Sequence, residues 1–291
     1  MGEATGIEWC DKTFNPWWGC LRVSPGCEHC YAETFDKRVG GKHWGPATVD
    51  PATHKSRRFF GDKHWREPGK WNADARAGDR NARVFCASMA DVFEDRADLV
   101  PHRARLFDLI EQTPCLDWQL LTKRPENMTR LAPAAWGKAW PRNVWAGASV
   151  ESQEWADRRI PELLRVPARI HFVSYEPALA PVDFREVPMS DGDTLGNGLF
   201  SHKTGAGISW VIIGGESGPG ARPFDLARAR STIAQCKAAG VACFVKQLGA
   251  RPIIDPRYDR SLPGATRQLR DRKGGDMAEW PEDLRVREFP R

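Results

Sequence analysis

The stretch "ARVFCASMADVFEDRADLVPHRARLFDLIEQTPCLDWQLLTKRP", residues 82–125, holds two strand patterns separated by a helix pattern. Residues 82–93 contain a short apolar run that ends in polar side chains, which indicates a buried strand. Residues 101–112 place apolar side chains at helical spacing, and residues 117–125 form the next apolar run, which Pro125 stops. A strand, a helix and a second strand in this order predict a right-handed parallel crossover.

The same alternation continues along most of the chain. Further strands are predicted at 143–152, 168–177, 208–218 and 241–249, and further helices at 153–166 and 224–240. Asp225 is placed to cap the last helix, and Gly240 is placed to terminate it. Strands that alternate with helices in this way predict an α/β fold with a parallel sheet, either doubly wound or a (β/α) TIM-like barrel.

Polar side chains follow all six predicted strands. In chain order they are Ser88 and Asp91; Thr122, Lys123 and Arg124; Ser149 and Glu151; Ser174 and Glu176; Glu216 and Ser217; and Lys246 and Gln247. In a barrel the carboxyl ends of the strands converge on one mouth, whereas an open sheet spreads them along an edge. We therefore expect a partial or complete barrel of about six parallel strands, with a site at its mouth.

The domain organisation follows from the length and from the extent of the alternating pattern. A chain of 291 residues can bury one large core. We expect a single (β/α) barrel domain over residues 1–250, preceded by a cysteine-rich loop at its N-terminus. Residues 251–291 are highly charged but hold several apolar side chains, which predicts an extension packed on the barrel. These side chains are Trp280, Leu284, Val286 and Phe289.

Two internal segments lack a clear period. Residues 34–80 are basic and glycine-rich, and residues 187–207 resemble a flexible insertion between strands. Both segments are candidates for lids. The sequence shows no internal repeat and no heptad pattern.

Composition limits the classes of function. The longest apolar runs are far shorter than the ~20 residues that a membrane span needs, and the N-terminus lacks a signal-peptide profile. We therefore expect a cytoplasmic protein with no membrane partner. The net charge of +5 permits a polyanionic partner such as nucleic acid. The thirteen tryptophans either cap the core from loops or stack on bases.

Three of the eight cysteines, Cys20, Cys27 and Cys30, lie close together with the spacing C-x6-C-x2-C. In a reducing cytosol, clustered thiols indicate metal ligands or reactive groups rather than disulfides. A 4Fe-4S cluster takes three thiolates and leaves one iron open for a small molecule. A structural zinc is the alternative, and it needs a fourth ligand. The candidates for that ligand are Cys10, His29 and His43.

The residues around the three cysteines suit a cluster. Gly19, Pro25 and Gly26 permit the tight turns that aim successive sulfurs at one centre. Trp17 and Trp18 would shield that centre from water. Four of the other five cysteines, all except Cys10, fall in strand or helix patterns or beside them, which predicts small core residues. These are Cys86, Cys115, Cys236 and Cys243.

Eight motifs, in order, resemble the phage-associated three-cysteine-motif family, which is found in phages and bacteria and whose function is unknown. The motifs are "IEWCDKTFNPWWGCLRVSPGCEHCYAE", "FCASMADVF", "LLTKRPENM", "NVWAGASVES", "RIHFVSYEPALAPVD", "WVIIGGESGPGARP", "FVKQLG" and "EWPEDLRVREFP". The resemblance runs nearly from end to end. That family is in turn similar to the radical S-adenosylmethionine enzymes.

The resemblance to the radical enzymes implies a 4Fe-4S cluster on Cys20, Cys27 and Cys30, ahead of a partial (β/α) barrel. It also implies that S-adenosylmethionine binds the open iron and is cleaved to a 5′-deoxyadenosyl radical. The first gap of six residues, and His29 in place of an aromatic residue before Cys30, depart from the commonest pattern of these enzymes. Cofactor contacts are then expected at Ser88, Ser149, Glu151, Ser174 and Glu176. Substrate contacts are expected at Asp91, Lys123, Arg124, Glu216, Lys246 and Gln247.

We expect the substrate to be a nucleic-acid base, a nucleotide or a related molecule. Lys123 and Arg124 either clamp a phosphate or form a solvated pair. Family analogy adds a reductant protein and a protein encoded alongside as partners. Two other functions stay open: a non-catalytic nucleic-acid or protein binding module with a structural zinc, and a zinc-dependent hydrolase. The hydrolase is disfavoured because His171 is the only histidine in a strand segment, and it lies before the end of its strand.

Overall fold

The computed structural model describes residues 5–48, 50, 52–189, 192, 194–200, 206–253 and 269–290. Its strands are β1 (Lys12–Thr13), β2 (Trp17–Trp18), β3 (Arg58–Phe59), β4 (Ala82–Cys86), β5 (Leu116–Thr122), β6 (Val144–Ser149), β7 (Ile170–Tyr175), β8 (Trp210–Gly214), β9 (Phe224–Asp225), β10 (Ala242–Gln247) and β11 (Pro252–Ile253). Its α-helices are α1 (Tyr31–Arg38), α2 (Asp62–Trp65), α3 (Glu67–Ala77), α4 (Val100–Gln112), α5 (Met128–Leu131), α6 (Gln153–Leu164) and α7 (Leu226–Ala239). Short 3₁₀ turns lie at Pro25–Cys27, Ala97–Leu99, Pro125–Asn127, Ala134–Trp136, Phe184–Glu186, Met277–Glu279 and Glu282–Leu284.

Seven strands form one all-parallel sheet of the half-barrel type, in the order β1-β4-β5-β6-β7-β8-β10. The six strands predicted from the sequence are β4, β5, β6, β7, β8 and β10, so the α/β class and the parallel sheet are confirmed. The seventh strand, β1, pairs with β4 through Lys12 and Val84. Its two residues are too few to show a hydrophobic period, which is why the sequence did not predict it. Among the described strands the order is open, with β1 and β10 at its ends, so the barrel is partial.

The chain divides into two compact units. The first comprises residues 1–147 and 166–169, and the second comprises residues 148–165 and 170–291. The split falls within β6 and does not correspond to the predicted boundary at residue 250, so the division into a barrel and an extension stays a prediction.

An aromatic cluster fills the core of the first unit. The ring of Phe14 stacks on His64, with centroids 4.8 Å apart, and meets the edges of Trp65 and Trp118 at 5.4 and 5.8 Å. Phe14 and Trp118 are completely buried. Aromatic pairs in these geometries add about 0.5–1.5 kcal/mol to the gain from burial. This cluster therefore fixes the segment before the cysteines against β5.

In the second unit, the C-terminal segment packs against the edge strand β10. Phe289 contacts Trp210 and Phe244, with ring centroids 5.4 Å apart in each pair. Val245 N donates to Val286 O at 2.8 Å, so the segment also pairs with the strand backbone. Burying these rings stabilises residues 269–290 as part of this unit. Residues 254–268 of the predicted extension lie outside the described part of the chain.

Residues 34–80 contain regular structure although the sequence shows no clear period there, and their role as a lid stays a prediction. The segment contains most of α1 and the whole of α2 and α3. The eleven residues of α3 bury only Pro68, Asn72 and Ala75, so the helix shows no apolar stripe in the sequence. In the second weakly patterned segment, isolated bridges join Pro188 to Thr194 and Phe200 to Gly207, and residues 190–191, 193 and 201–205 are not described.

The tryptophans serve the core. Ten of the thirteen are buried, and the remaining three, Trp44, Trp71 and Trp155, are half-buried. Most of the tryptophans are therefore core residues, and stacking on bases stays a prediction. None of the described helices combines the length and hydrophobicity needed to cross a membrane.

The last long helix has both of the predicted end signals. The carboxylate of Asp225 accepts a hydrogen bond from Ala227 N at 2.9 Å, which caps the N-terminus of α7. Gly240 follows the helix in the left-handed region, with φ +68°.

We expect Asp225→Ala to lower the free energy of unfolding by about 1 kcal/mol, because the cap satisfies an otherwise orphaned N–H. Asp225→Ser keeps a capping oxygen and should lose only a few tenths of that. Urea titrations followed by circular dichroism measure both values. Equal losses for the two variants would show that the cap contributes nothing.

Candidate cysteine site

The three clustered cysteines lie on one segment of the first unit. Cys20 comes shortly after β2, Cys27 ends a 3₁₀ turn, and Cys30 is the N-cap residue of α1. All three side chains are half-buried. By contrast, Cys86, Cys236 and Cys243 are buried in β4, α7 and β10, as expected of core residues. Cys115 is half-buried, so the expectation of a core position is wrong there.

A buried arginine at the carboxyl end of β5 contacts the cysteine segment. Arg124 Nη1 donates to Cys20 Sγ at 3.7 Å, and Arg124 Nη2 donates to Leu21 O at 2.6 Å. Nη1 also pairs with Asp91 Oδ2 at 2.7 Å. Burial lowers the pKa of Arg124. The negative charge of Asp91 and the contact with Cys20 raise the pKa by more than burial lowers it, so it lies above the ordinary value. Arg124 therefore holds Cys20 against the strand ends as a permanent cation.

Asp91 joins the ends of β4 and β5. Its Oδ1 accepts from Thr122 Oγ1 at 2.6 Å and from Phe93 N at 3.0 Å. Its Oδ2 accepts from Lys123 N at 3.2 Å and from Arg124 Nη1. The predicted convergence of polar strand ends is thus observed for these two strands. Asp91 and Arg124 are engaged in holding the cysteine segment, and their role in binding a substrate stays a prediction.

Positive charge faces two of the three thiols. Burial raises the pKa of the Cys20 thiol to about 12; Asp91 acts in the same direction and Arg124 opposes it. Burial also raises the pKa of Cys30, whereas the backbone N–H groups of Glu33 and Ala32 and the Lys123 ammonium lower it. Both thiols are therefore protonated in the free chain, yet each has a partner ready to stabilise a thiolate.

A third cation lies near Cys27 and Cys30. Arg22 Nε binds Glu33 Oε2 at 2.7 Å, and Glu33 Oε1 also binds Lys37 Nζ at 2.7 Å. The hydrogen bond to Glu33 raises the pKa of Arg22, and the two thiols contribute to the same shift. The guanidinium is therefore within electrostatic range of both sulfurs.

A buried ion pair fixes the segment that covers the cysteines, residues 43–45. Arg57 Nη2 meets Glu94 Oε1 at 2.5 Å, and Arg57 Nη1 donates to His43 O at 2.6 Å. Gly45 N in turn donates to Cys20 O at 3.0 Å. Trp44 and Cys30 each pack against the cluster formed by Trp18, Ala32 and Met89. The segment thus contacts the cysteine loop at Cys20 and shares an apolar cluster with Cys30.

Ser88, a predicted cofactor contact, forms hydrogen bonds to residues on both sides of the cysteine segment. Its hydroxyl accepts from Asn15 Nδ2 at 3.1 Å, and its carbonyl accepts from Tyr31 OH at 2.8 Å. Asn15 Oδ1 accepts from Met89 N at 2.7 Å. These bonds tie the residues on both sides of the cysteines to the end of β4.

The candidates for a fourth zinc ligand have other contacts. Cys10 is buried, its pKa is raised to about 11 by burial, and its thiol donates to Ile7 O at 3.6 Å. His43 Nδ1 binds Asp36 Oδ1 at 2.7 Å. His29 is half-buried. None of the three is grouped with the cysteine thiols in the described residues.

In the second unit, a separate polar cluster joins the ends of β7, β8 and β10. Lys246 Nζ binds both oxygens of Glu176, at 2.7 and 2.9 Å. Gln247 Nε2 donates to Glu176 Oε1 at 3.2 Å and to Gly215 O at 2.9 Å. The predicted convergence of strand ends therefore holds within this unit as well.

The other predicted contacts of the second unit are buried. Glu151 pairs with Arg159 at 2.9 Å, and both side chains are at most 3 % exposed. Ser149 and Ser174 are buried at the ends of β6 and β7. Glu216 binds the guanidinium and the backbone N–H of Arg222. The structure thus brings acids and bases together, and the cofactor and substrate roles of these residues stay predictions.

Comparison with protein families gives one result. A model of a family of proteins of unknown function, DUF5131, matches residues 4–275. The chain belongs to the DUF5131 family. Comparisons with curated proteins and with solved structures found no match.

The DUF5131 chain has donor side chains that suit a metal centre. In the part of the chain that the structure describes, no three Cys, His, Asp or Glu side chains are grouped to hold an ion. The three thiols nevertheless sit among Arg22, Lys123, Arg124 and the N-terminus of α1, all of which favour thiolates. The residues therefore fit a thiolate-ligated centre chemically.

Sequence reasoning missed the groups that hold the cysteine segment in place. Arg57, Glu94 and Asn15 are buried polar residues that follow no motif spacing. The only sequence signal was the presence of charged or amide residues beside apolar runs. Such a signal does not identify the partner, because Arg57 and Glu94 are 37 positions apart.

Gly19 is required by the approach of the covering segment. It has φ +111°, and a Cβ there would lie 2.3 Å from His43 O. Gly40 has φ +80° but open space around it.

We expect Gly40→Ala to cost roughly 1–2 kcal/mol of stability, because a Cβ is sterically strained in the left-handed backbone region. Gly19→Ala should cost about 1–3 kcal/mol more, because the clash with backbone adds to that strain. Urea denaturation of the two variants gives the comparison. If both lose the same stability, the close approach of His43 is not a constraint.

The pair between Arg57 and Glu94 yields a second expectation. Glu94→Ala should lower stability by about 3–5 kcal/mol, because it leaves a buried guanidinium without its counter-charge. Arg57→Met combined with Glu94→Leu should regain a large part of that loss. Thermal and urea unfolding of the single and double variants test this. A double variant less stable than the single one would contradict the explanation.

Proposed function

We propose that this DUF5131 chain is a radical S-adenosylmethionine-type enzyme whose 4Fe-4S cluster is held by Cys20, Cys27 and Cys30. One observation carries the proposal: the two basic residues that follow β5 act on two of the three thiols. Arg124 Nη1 lies 3.7 Å from Cys20 Sγ, and the charge of Lys123 lowers the pKa of Cys30. The resemblance to the phage-associated three-cysteine-motif family and to the radical enzymes supports the same assignment.

The cations beside the three cysteines favour a thiolate-ligated cluster over three free thiols. A cluster with three thiolates is an anion, so nearby cations and N–H donors stabilise it and tune its potential. Arg22, Lys123, Arg124 and the start of α1 supply such groups. A closed zinc site would need a fourth ligand. Two of its three candidates, Cys10 and His43, are hydrogen-bonded to Ile7 and Asp36.

The aromatic surroundings support a site that excludes water. Trp18, Ala32 and Met89 are buried and pack against Cys30. Apolar surroundings strengthen the attraction between a charged ligand and nearby cations. Residues 43–45, held by the buried pair of Arg57 and Glu94, contact the cysteine loop at Cys20 and add Trp44 to the same cluster.

When bound, such a cluster supplies the electron that cleaves S-adenosylmethionine to a 5′-deoxyadenosyl radical. This chain would contribute three thiolates, the cations that stabilise them and the wall that keeps water away. Cofactor contacts at Ser88, Ser149, Glu151, Ser174 and Glu176 are part of the proposal. So is a nucleic-acid base or nucleotide as the substrate, which the excess of basic residues supports.

Anaerobic reconstitution with iron and sulfide tests the proposal. We expect a brown protein with about four iron atoms per chain, and 5′-deoxyadenosine after reduction with S-adenosylmethionine. Cys20→Ala, Cys27→Ala and Cys30→Ala should each abolish the colour and lower the iron content severalfold. Visible absorption, electron paramagnetic resonance and metal analysis give the readouts.

Cys115→Ala is the matched control, because Cys115 is also half-buried but lies outside the cysteine segment. It should retain iron and colour. Stoichiometric zinc held by the same three cysteines, with no 5′-deoxyadenosine, would replace the proposed function with a structural zinc module. Loss of iron in Cys115→Ala but not in Cys27→Ala would refute the ligand assignment.

A further inference from the structure

Two arginines lie on the aromatic cluster beside Cys30. Arg58 places its guanidinium carbon 4.6 Å from the ring centre of Trp18 and 5.3 Å from that of Phe60. Arg38 lies 5.1 Å from the ring centre of Phe35. Trp18 joins these rings, because it meets the edges of Phe35 and Phe60 at 5.8 Å each. We call these five residues the arginine–aromatic face.

The two arginines of this face are exposed and have no acidic partner. In the described residues, neither Arg38 nor Arg58 makes an ion pair or a side-chain hydrogen bond. Arg158, in the second unit, gives the contrast: it lies 5.2 Å from the ring centre of Trp155 but pairs with Glu154 at 2.9 Å. All three arginines therefore lie over an aromatic ring. Of the three, Arg38 and Arg58 have N–H donors with no acidic partner in the described residues, whereas Arg158 is paired with Glu154.

The segment that carries this face has an excess of basic residues. Residues 14–78, which run from the cysteine segment to the end of α3, contain eleven lysines and arginines and seven acidic residues, an excess of four. Of those acids, Glu33 and Asp36 are buried and paired with Arg22, Lys37 and His43 rather than with Arg38 or Arg58.

We propose that the arginine–aromatic face binds a single strand of nucleic acid. A guanidinium that rests with one face on a ring is held flat, so its edge N–H groups can meet a phosphate in a bidentate manner. An exposed guanidinium can also stack on a base. Phosphates spaced along a strand suit more than one such cation, whereas an isolated carboxylate needs only one.

The position of the face connects it to the candidate cysteine site. Trp18, which carries Arg58, packs in the same cluster as Cys30. A strand held on Arg38 and Arg58 would pass beside the third cysteine. That this strand is the substrate rests on the proposed function, whereas the binding itself does not.

Fluorescence anisotropy with a labelled single-stranded oligonucleotide of about 20 mixed-sequence nucleotides tests the proposal on the full chain. Arg38→Gln and Arg58→Gln should each weaken binding severalfold, and the double variant should weaken it by about tenfold or more. The slope of log affinity against log salt should fall by about one for each arginine removed. DNA and RNA strands are measured separately to identify the preferred sugar.

Arg158→Gln is the control, since it removes a stacked but acid-paired arginine. It should leave affinity and salt slope unchanged, and circular dichroism should show all variants folded. No binding by the unaltered chain, or equal losses in the control, would overturn the proposal. So would a stronger dependence on Arg38 and Arg58 for anionic vesicles or for an acidic peptide than for the oligonucleotide.

Iron content separates this proposal from the proposed function. Arg38→Gln and Arg58→Gln should keep the iron content of the unaltered chain, because neither residue contacts a cysteine thiol in the described structure. Binding of the oligonucleotide without uptake of iron would refute only the proposed enzymatic function. Uptake of iron without binding of the oligonucleotide would refute only the proposed nucleic-acid binding by the arginine–aromatic face.

Discussion

The ion pair between Asp91 and Arg124 is the contact on which the arrangement of the first unit depends. Nη1 of the arginine lies 2.7 Å from Oδ2 of the aspartate, and both side chains are less than 10 % exposed. A buried charge without its partner costs several kcal/mol, so this pair favours the arrangement in which the ends of β4 and β5 meet. Arg124 also binds Leu21 O and Cys20 Sγ, so the same pair determines where the cysteine segment lies.

The polar strand ends act first as partners of one another. Asp91 accepts four hydrogen bonds from groups at the ends of β4 and β5. In the second unit, Glu176 is shared by Lys246 and Gln247. Such networks hold side chains in one orientation, because every donor has an acceptor and a competing rotamer would break several bonds. A ligand that binds at these strand ends would meet a prearranged set of charges.

The cysteines divide according to their surroundings. Burial raises the pKa of Cys86, which lies in β4 with no charged neighbour to oppose the shift. Cys20 and Cys30 also have raised pKa values, but Arg124, Lys123 and backbone N–H groups work against the shift. The cysteines therefore differ in the counter-charge that is available to stabilise a thiolate.

The sequence by itself determined the chain order of the six longer strands and of α4, α6 and α7, the parallel α/β class, the caps of α7 and the core positions of Cys86, Cys236 and Cys243. These features are local, since hydrophobic period, cap residues and spacing are all legible within a few residues. Only the tertiary structure decided the partners of the charged groups, such as Arg124 and Cys20, which are 104 positions apart. It also decided the pairing of the two-residue strand β1 with β4 and the position of the Arg58 guanidinium over the ring of Trp18. Pairing at that separation depends on how the sheet folds, and no spacing in the chain encodes it.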